Sequence, residues 1–226
     1  MEKLITKTKW EILKLLGEKD RSPTELSKVL KLSAPTLHKH LQYLESKKII
    51  QKKGEIRGKT KSFNNYSLGS GFIYLIKVMP GDVSKQSFEI DKNLEIYFRI
   101  RQIAQKSFYY FIDKFWWEIQ EDIDKVNSIA IFGSVAIGNA REDSDIDVLI
   151  LTNKKDKKIE KKYGARIVNK PNEKGKMIMA QVFDKNDFID SFNSGSKFAK
   201  EVVKNMIIIY DRNNLLLDLK KRLRWS

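Results

Sequence analysis

Apolar residues recur at helical spacing near the start of the chain, and capping signals separate them into short elements. The positions from Ile12 to Leu16 predict a first amphipathic helix that ends at Gly17. Residues 22–25 read Ser-Pro-Thr-Glu, a capping box with proline at the first helical position. This box predicts a second helix that continues through Leu30.

A third helix and two strands follow. Ser33 is expected to cap the helix, whose apolar side consists of Leu37, Leu41 and Leu44. Residues 49–53 and 61–66 are rich in β-prone side chains, and the glycine-flanked segment 54–58 separates them. Three helices followed by a glycine-tipped hairpin are typical of a winged helix.

In a winged helix, the third helix enters the DNA major groove by its first turns. The residues expected opposite its leucines are candidate base or phosphate contacts: Thr36, His38, Lys39, His40 and Gln42. The hairpin adds basic side chains placed to meet phosphates: Lys52, Lys53, Arg57, Lys59 and Lys61. Each could instead be a solvated surface residue, but their joint placement on one basic face favours DNA contact.

The middle of the chain is predicted to form a strand and then helical structure. Residues 72–76 indicate the strand, which Pro80-Gly81-Asp82 would turn. From 94 to 119 the pattern predicts a long helix or a kinked pair, and nine of the 24 aromatic residues fall between Tyr97 and Trp117. Aromatics can stack on bases, but at this helical spacing a core or a subunit interface is favoured.

Two buried strands frame the stretch with the clearest chemistry. The run 128–132 ends in Gly133-Ser134, and the run 148–151 follows Asp145-Ile146-Asp147. Because strand side chains alternate, the two aspartates point to one side while the isoleucine between them enters the core. Convergent carboxylates bind Mg²⁺, and a Gly-Ser turn that opens a helix lets backbone amides approach a phosphate. The combination predicts phosphoryl or nucleotidyl transfer.

The net charge and the composition limit the kinds of partner and metal site that are expected for this chain. The chain carries a net charge of +15, and residues 1–70 hold 16 basic and 7 acidic side chains, so 16 − 7 = +9 lies in the first third. A polyanion partner is expected, although a generally lysine-rich composition is the alternative. Zero cysteines exclude disulfides and thiolate metal sites. Without an apolar run of about 18 residues, a cytoplasmic protein with no membrane partner is expected.

Two family resemblances refine these expectations. The segment SPTELSKVLKLSAPTLHKHLQYLESKKIIQKKG, within residues 5–68, resembles the winged-helix modules of small prokaryotic, especially archaeal, transcription regulators. The string GSVAIGNAREDSDIDVLIL, within residues 105–224, resembles the signature of the nucleotidyltransferase superfamily in its minimal and aminoglycoside-type branch. The matching positions are Gly133, Ser134, Gly138, Arg141, Ser144, Asp145 and Asp147.

The second resemblance implies a mixed sheet that carries the acidic residues. Asp145 and Asp147 would be catalytic and hold Mg²⁺. The implied ligand or substrate is a nucleoside triphosphate, ATP first, bound by Gly133, Ser134, Arg141 and Ser144.

The chain departs from this family where a later strand usually supplies a third carboxylate. The corresponding run 177–183 holds no acid, and Gln181 is expected at the carboxylate position. Asp184 would face the other way unless the strand ends or bulges there. Losing a general base costs about 10²- to 10⁴-fold in rate, so whether the domain is an active enzyme stays open.

Residues 153–176 contain ten Lys or Arg, which form either a solvated face or a basic lip over a phosphate-rich substrate. The lysines at the start of this run are Lys154, Lys155, Lys157, Lys158, Lys161 and Lys162. Toward the C-terminus, helical and strand patterns alternate: a helix at 198–203, a strand at 206–210 and a helix opening at 215–219.

The sequence therefore predicts an α/β (α+β) protein of two domains. Residues 1–70 form a winged helix-turn-helix, 71–104 a linker strand and the start of the aromatic helix, and 105–226 a nucleotidyltransferase-like mixed sheet with flanking helices. The favoured function is a transcription regulator that binds double-stranded DNA and Mg²⁺–nucleotide, as a homodimer. The alternative is an active nucleotidyltransferase with a protein or small-molecule acceptor. An RNA modifier is disfavoured because base-stacking RNA motifs are absent.

Overall fold

The computed structural model describes residues 5–57, 62–69 and 71–225. The chain divides into two compact units, Met1–Asp91 and Lys92–Ser226. The fold is mixed α/β, with an N-terminal helix-turn-helix unit and a C-terminal mixed sheet, as the sequence predicts.

Three helices open the first unit: α1 (Lys7–Glu18), α2 (Pro23–Leu30) and α3 (Ala34–Ser46). The predicted capping box is confirmed at α2. Ser22 Oγ accepts from the Glu25 amide at 3.3 Å, and the Ser22 amide donates to the Glu25 carboxylate at 2.8 Å. Gly17 does not end α1, because one glycine in a last turn costs only about 1 kcal/mol and the buried Ile12 and Leu16 hold the helix in place.

Strands β1 (Ile50–Arg57) and β2 (Ser62–Leu68) pair antiparallel and form the wing hairpin. Gly54 has a φ of +67° and lies at a bulge between Lys53 and Glu55, so residues 54–57 belong to β1 and not to the predicted turn. Arg21 bridges to Tyr66 through two backbone hydrogen bonds of 3.1 and 2.9 Å. This bridge ties the wing to the start of α2.

One core holds the first unit together, and a second hairpin follows it. The core consists of Ile12, Leu16, Leu26, Leu37, Leu41, Leu44, Ile49, Ile50 and Tyr66. Strands β3 (Phe72–Met79) and β4 (Asp82–Glu89) pair antiparallel over their full length, and Pro80 and Gly81 turn the chain between them. The sequence predicted β3 and the turn. It gave no signal for β4, whose residues are mostly polar.

The second unit begins with two helices, α4 (Lys92–Ile100) and α5 (Tyr109–Ile119), so the kinked alternative for the aromatic segment is the observed one. Most of the aromatics in and beside α5 are buried: Phe108, Phe111, Phe115 and Trp116. Tyr97 and Trp117 are exposed. Phe98 and Tyr110 are exposed as well, so the core interpretation is confirmed for four of the nine aromatic residues, with Tyr109 partly buried against the same core.

A five-stranded sheet with the order β7-β8-β6-β5-β9 forms the centre of the second unit. Its strands are β5 (Val126–Phe132), β6 (Ile146–Thr152), β7 (Ala165–Lys170), β8 (Glu173–Asp184) and β9 (Ile207–Asp211). Strands β6 and β8 are parallel, and the other neighbouring pairs are antiparallel. The remaining helices are α6 (Gly133–Ile137), α7 (Lys157–Tyr163), α8 (Lys185–Asn193), α9 (Lys197–Asn205) and α10 (Leu215–Trp225).

Both faces of this sheet are covered. Helices α4, α5 and α7 pack on one face through a core that includes Ile146, Val148 and Ile150. Helices α8, α9 and α10 pack on the other face, where Leu149 and Leu151 are buried. The strict alternation along β6 follows from the period of two in a strand. Among the described helices, none is long and apolar enough to cross a membrane.

Candidate functional site

The acidic pair lies at the N-terminal end of β6. Asp145 immediately precedes the strand and is exposed, Ile146 is fully buried, and Asp147 is half-buried. The predicted alternation is therefore observed. Burial raises the pKa of Asp147, and the negative charge of Asp145 raises it further. A cation between the two carboxylates would relieve this repulsion.

Gly133 lies at the same edge of the sheet as the acidic pair. Strand β5 runs antiparallel to β6 with Phe132 opposite Asp147, so the residue after Phe132 meets the aspartate. Gly133 has a φ of +68°, and a Cβ built on it would overlap Asp147 Oδ2. Both observations require glycine. Helix α6 starts here, and no described side chain caps its N-terminus.

A tight turn returns the chain from α6 to the aspartates. Within it the Arg141 amide donates to Ser144 Oγ at 2.8 Å, and the Ser144 amide donates to the Arg141 carbonyl at 3.1 Å. Arg141 is exposed and Ser144 is half-buried. The structure therefore places four predicted nucleotide contacts, Gly133, Ser134, Arg141 and Ser144, on one segment that ends at the acidic pair.

Gln105 anchors this segment by hydrogen bonds to its backbone, and nothing in the sequence indicated this role. Its Nε2 donates to the Ala140 carbonyl at 2.6 Å, and its Oε1 accepts from the Ala140 amide at 3.1 Å. Tyr109 fixes the loop that carries Gln105, because its hydroxyl donates to the Ile103 carbonyl at 2.9 Å. Since 35 residues separate Gln105 from Ala140, only the tertiary fold brings them together.

Lys176 makes a further hydrogen bond to the backbone of the same segment. Its ammonium donates to the Glu142 carbonyl and lies 4.6 Å from the centre of the Phe108 ring. Although it belongs to the basic run that the sequence singled out, nothing in the sequence distinguishes it from its neighbours. It is a cation of that run bound directly to the site loop.

The register of β8 against β6 shows which residue of β8 lies beside the acidic pair. In the parallel pair β6–β8, Met179 lies opposite Asp147. Gln181 lies opposite Leu149, two residues further along the strand. The sequence predicts Gln181 at the position of the family's third carboxylate, and it could not predict the register, because the register of a parallel pair cannot be read from one strand alone. Met179 therefore occupies the position in line with the acidic pair.

Asp184 does not supply the missing acid. It lies opposite Thr152, five residues along β6 from Asp147 and therefore roughly 16 Å away. Its carboxylate caps α8 by accepting from the Asn186 amide at 2.7 Å. In the described part of the chain, no group of three or more carboxylates and histidines could hold a metal. Two carboxylates still fit an ion that takes its other ligands from phosphate oxygens and water.

Three lysines at the start of the basic run, Lys154, Lys155 and Lys162, do not form a lip over the acidic pair. Lys154 and Lys155 follow the C-terminal end of β6, opposite to Asp147, and are exposed. Lys162 forms ion pairs of 2.9 Å with Glu121 and Asp122. The solvated-face interpretation holds for these residues.

The α3 surface has the exposure expected of a recognition helix at most of the predicted positions. Thr36, His38, Lys39 and Gln42 are exposed opposite the buried leucines. His40 is different: it is half-buried beside the leucine face, and burial, followed by the nearby Lys9 ammonium, lowers its pKa. It is therefore a weaker candidate for a base contact than the sequence suggested.

Fewer of the DNA contacts predicted for the wing can be assessed in the structure. Lys53 is exposed and forms an ion pair with Asp20 at 3.1 Å, and Lys52 forms one with Glu45 at 3.0 Å. Arg57 ends β1, but its side chain, like Lys59 and Lys61 as a whole, lies outside the described residues. The paired wing lysines would have to exchange a carboxylate for a phosphate on binding DNA.

Fold and site together define a class: a helix-turn-helix unit joined to a nucleotidyltransferase-type sheet that places a Gly-Ser turn against two aspartates. Residues 6–52 match the family described as bacterial regulatory protein, arsR family. Residues 117–215 match the family described as polymerase beta, nucleotidyltransferase. The chain thus combines an ArsR-family helix-turn-helix with a polymerase-beta-type nucleotidyltransferase domain. No curated protein matches it.

Proposed function

We propose that this protein is a DNA-binding transcription regulator whose nucleotidyltransferase domain binds a Mg²⁺–nucleoside triphosphate, ATP first, and transfers the nucleotide poorly or not at all. The observation that carries the proposal is the register of β6 and β8, which puts Met179 in line with Asp147. A thioether cannot act as a general base or as a ligand to a hard cation.

The geometry around the two aspartates supports binding. Asp145 and Asp147 are the residues that would hold the metal, and only glycine at position 133 avoids an overlap with the Asp147 carboxylate. Mg²⁺ held there would reduce the repulsion between the two carboxylates and the phosphates. The backbone of Gly133 and Ser134, which no side chain caps, and the exposed Arg141 side chain would contact the phosphates.

The exposed surface of α3 supports the DNA-binding part of the proposal. It presents Thr36, His38, Lys39 and Gln42, in a segment of the chain whose net charge is +9. Lysine would supply salt-dependent phosphate contacts, while the polar residues would read base edges. In a regulator of this kind, nucleotide binding changes the affinity for an operator only if the two conformational states bind nucleotide differently.

Calorimetry with ATP and Mg²⁺ tests the binding. We expect the wild type to bind and the Asp145→Asn, Asp147→Asn double variant to lose Mg²⁺-dependent binding, since neutral amides are poor ligands for Mg²⁺. The matched control is Glu142→Gln with Asp143→Asn, which removes two exposed charges from the same loop. Equal affinity in wild type and in the aspartate double variant would reject the site.

An active nucleotidyltransferase is the second candidate, favoured by the intact Gly133 and Asp147 geometry. Incubation with α-labelled ATP and Mg²⁺ distinguishes the regulator from the active enzyme. The regulator should release little pyrophosphate and retain no covalent label, while ATP should change its affinity for duplex DNA. Robust pyrophosphate release with label on a protein or small-molecule acceptor would establish the enzyme instead.

A further inference from the structure

A cavity with a volume of about 330 Å³ lies in the second unit, between α4 and the end of edge strand β9. Asp211, which lines the cavity, pairs with Ser128 near the start of β5. The acidic pair lies at the other end of β5, where Phe132 pairs with Asp147. Because Phe132 is four residues beyond Ser128, the two positions are roughly 13 Å apart. The cavity is therefore distinct from the acidic site.

Tyr210 brings its hydroxyl between two basic side chains of this cavity. The ring is only 5% exposed and packs against Trp116, with ring centres 5.7 Å apart, so its position is fixed. Lys92 Nζ donates to the Tyr210 hydroxyl at 3.3 Å and lies 4.5 Å from the ring centre. Arg212 lies beside the same hydroxyl, and this interaction raises the pKa of Arg212. Two cations therefore converge on one neutral oxygen.

The other charged groups of the cavity are already bound within the protein. Arg99 Nε donates to the Glu95 carboxylate at 2.9 Å, so these two charges offset each other. The Asp211 carboxylate accepts from the Ser128 hydroxyl at 2.8 Å and from the Leu217 amide at 3.0 Å. Three cations and two carboxylates line the cavity, which leaves 3 − 2 = +1. The balance favours an anionic ligand.

Neither converging cation is held by a buried carboxylate. Lys92 contacts the phenol of Tyr210. Arg212 pairs with Asp124 at 3.4 Å, but the Asp124 side chain is 97% exposed, and water screens such a pair. An anion with several oxygens would bridge the two cations and accept from the hydroxyl of Tyr210 as well. A phosphate group has these oxygens, and it matches the fork of an arginine side chain.

We propose that this cavity binds a phosphate monoester the size of a nucleoside monophosphate. The phosphate group lies between Lys92 and Arg212, and the organic part fills the remaining volume above Ile96 and Ile209. The cavity is near the lower end of the roughly 300–1,000 Å³ that is typical of small-molecule sites, which favours a small ester over a polymer. This site does not depend on Mg²⁺ or on nucleotide binding at the acidic pair.

Calorimetry of the full chain with AMP, inorganic phosphate and adenosine tests the proposal, in a buffer whose chelator removes the metal on which the acidic pair depends. AMP should bind with a dissociation constant below about 1 mM, inorganic phosphate more weakly, and adenosine not at all. Lys92→Gln with Arg212→Gln should raise the dissociation constant of AMP by at least about 10-fold. The matched control is Lys200→Gln with Lys204→Gln, which removes two exposed charges from α9 on the opposite face of the sheet.

Two further variants make the test specific. Tyr210→Phe keeps the ring that packs on Trp116 and should weaken AMP binding by about 3- to 10-fold, since it removes only the hydroxyl. Asp145→Asn with Asp147→Asn should bind AMP like the wild type; a loss of affinity in this variant would place AMP at the acidic pair and overturn the proposal.

The remaining outcomes are equally decisive. No binding of AMP up to about 10 mM would reject the site, as would equal AMP affinity in the wild type and in the Lys92 and Arg212 double variant. Adenosine bound as tightly as AMP would exclude recognition of the phosphate group. Inorganic phosphate bound as tightly as AMP would overturn the assignment to an ester.

Discussion

The Cα of Gly133 lies directly against the carboxylate of Asp147, so closely that a side chain on residue 133 would overlap Oδ2. Strand pairing produces this contact, since Phe132 is the partner of Asp147 in the antiparallel pair β5–β6. The turn and the acidic pair therefore form one structural unit, and a change on either side should affect the other.

Gly133→Ala should abolish Mg²⁺-dependent nucleotide binding and reduce stability, because it adds backbone strain of about 1–3 kcal/mol and displaces the Asp147 carboxylate. Calorimetry and thermal unfolding measure the two effects. Gly195→Ala is the matched control. Gly195 has a φ of +89°, but the nearest atom to its added Cβ is Lys200 Nζ at 3.7 Å. The control should lose stability and keep nucleotide affinity; an equal loss of affinity would refute the steric argument.

Asp147→Asn should make the protein more stable at pH 7 than the wild type. The pKa of Asp147 is raised above its ordinary value of 3.8, so the stability of the wild type decreases as the pH rises through this range. Asparagine does not ionise and avoids this loss. Denaturant unfolding at pH 7 and near pH 3 should show that the free energies of unfolding of the variant and the wild type differ only at pH 7. Mg²⁺ should reduce this difference. A variant less stable than the wild type at pH 7 contradicts the burial argument.

Met179→Glu should create or raise nucleotidyl transfer if an acceptor is present, because it adds a carboxylate in line with Asp147. Gln181→Glu adds the same group two residues along the same strand, opposite Leu149, and should have little effect. Pyrophosphate release measures both. A gain with Gln181→Glu alone would show that the register argument selects the wrong position.

Gln105→Ala should weaken nucleotide binding by roughly 10-fold and destabilise the site loop, since it leaves the two backbone groups of Ala140 without their partner. Calorimetry gives the affinity, and hydrogen exchange at residues 138–145 reports the loop. Gln102→Ala, three residues away and exposed, is the control. Unchanged exchange in the Gln105 variant would remove its positioning role.

Lys39→Ala should weaken binding to duplex DNA and reduce the slope of log affinity against log salt by about 1, as expected for the loss of one phosphate contact. Lys204→Ala removes the same charge from exposed helix surface on the second unit and controls for net charge. Fluorescence anisotropy at several salt concentrations measures both. An identical slope in the Lys39 variant and the wild type excludes this residue from the interface.

The sequence by itself determined the first three helices and the arrangement of the acidic pair. Helical spacing and caps predicted α1, α2 and α3, and alternation placed Ile146 in the core with a carboxylate on either side of it. These features are local: a capping box, a period of two and a glycine turn depend on residues only a few positions apart.

The tertiary structure alone decided which distant residues meet. It put Met179, not Gln181, beside Asp147 and joined Gln105 to Ala140. The half-buried position of His40, by contrast, follows from helical spacing alone, since it lies three residues after Leu37 and four before Leu44. The physical reason is the same for Met179 and for Gln105. Strand register and contacts between distant segments are set by the packing of whole faces, which the local pattern of either segment does not contain.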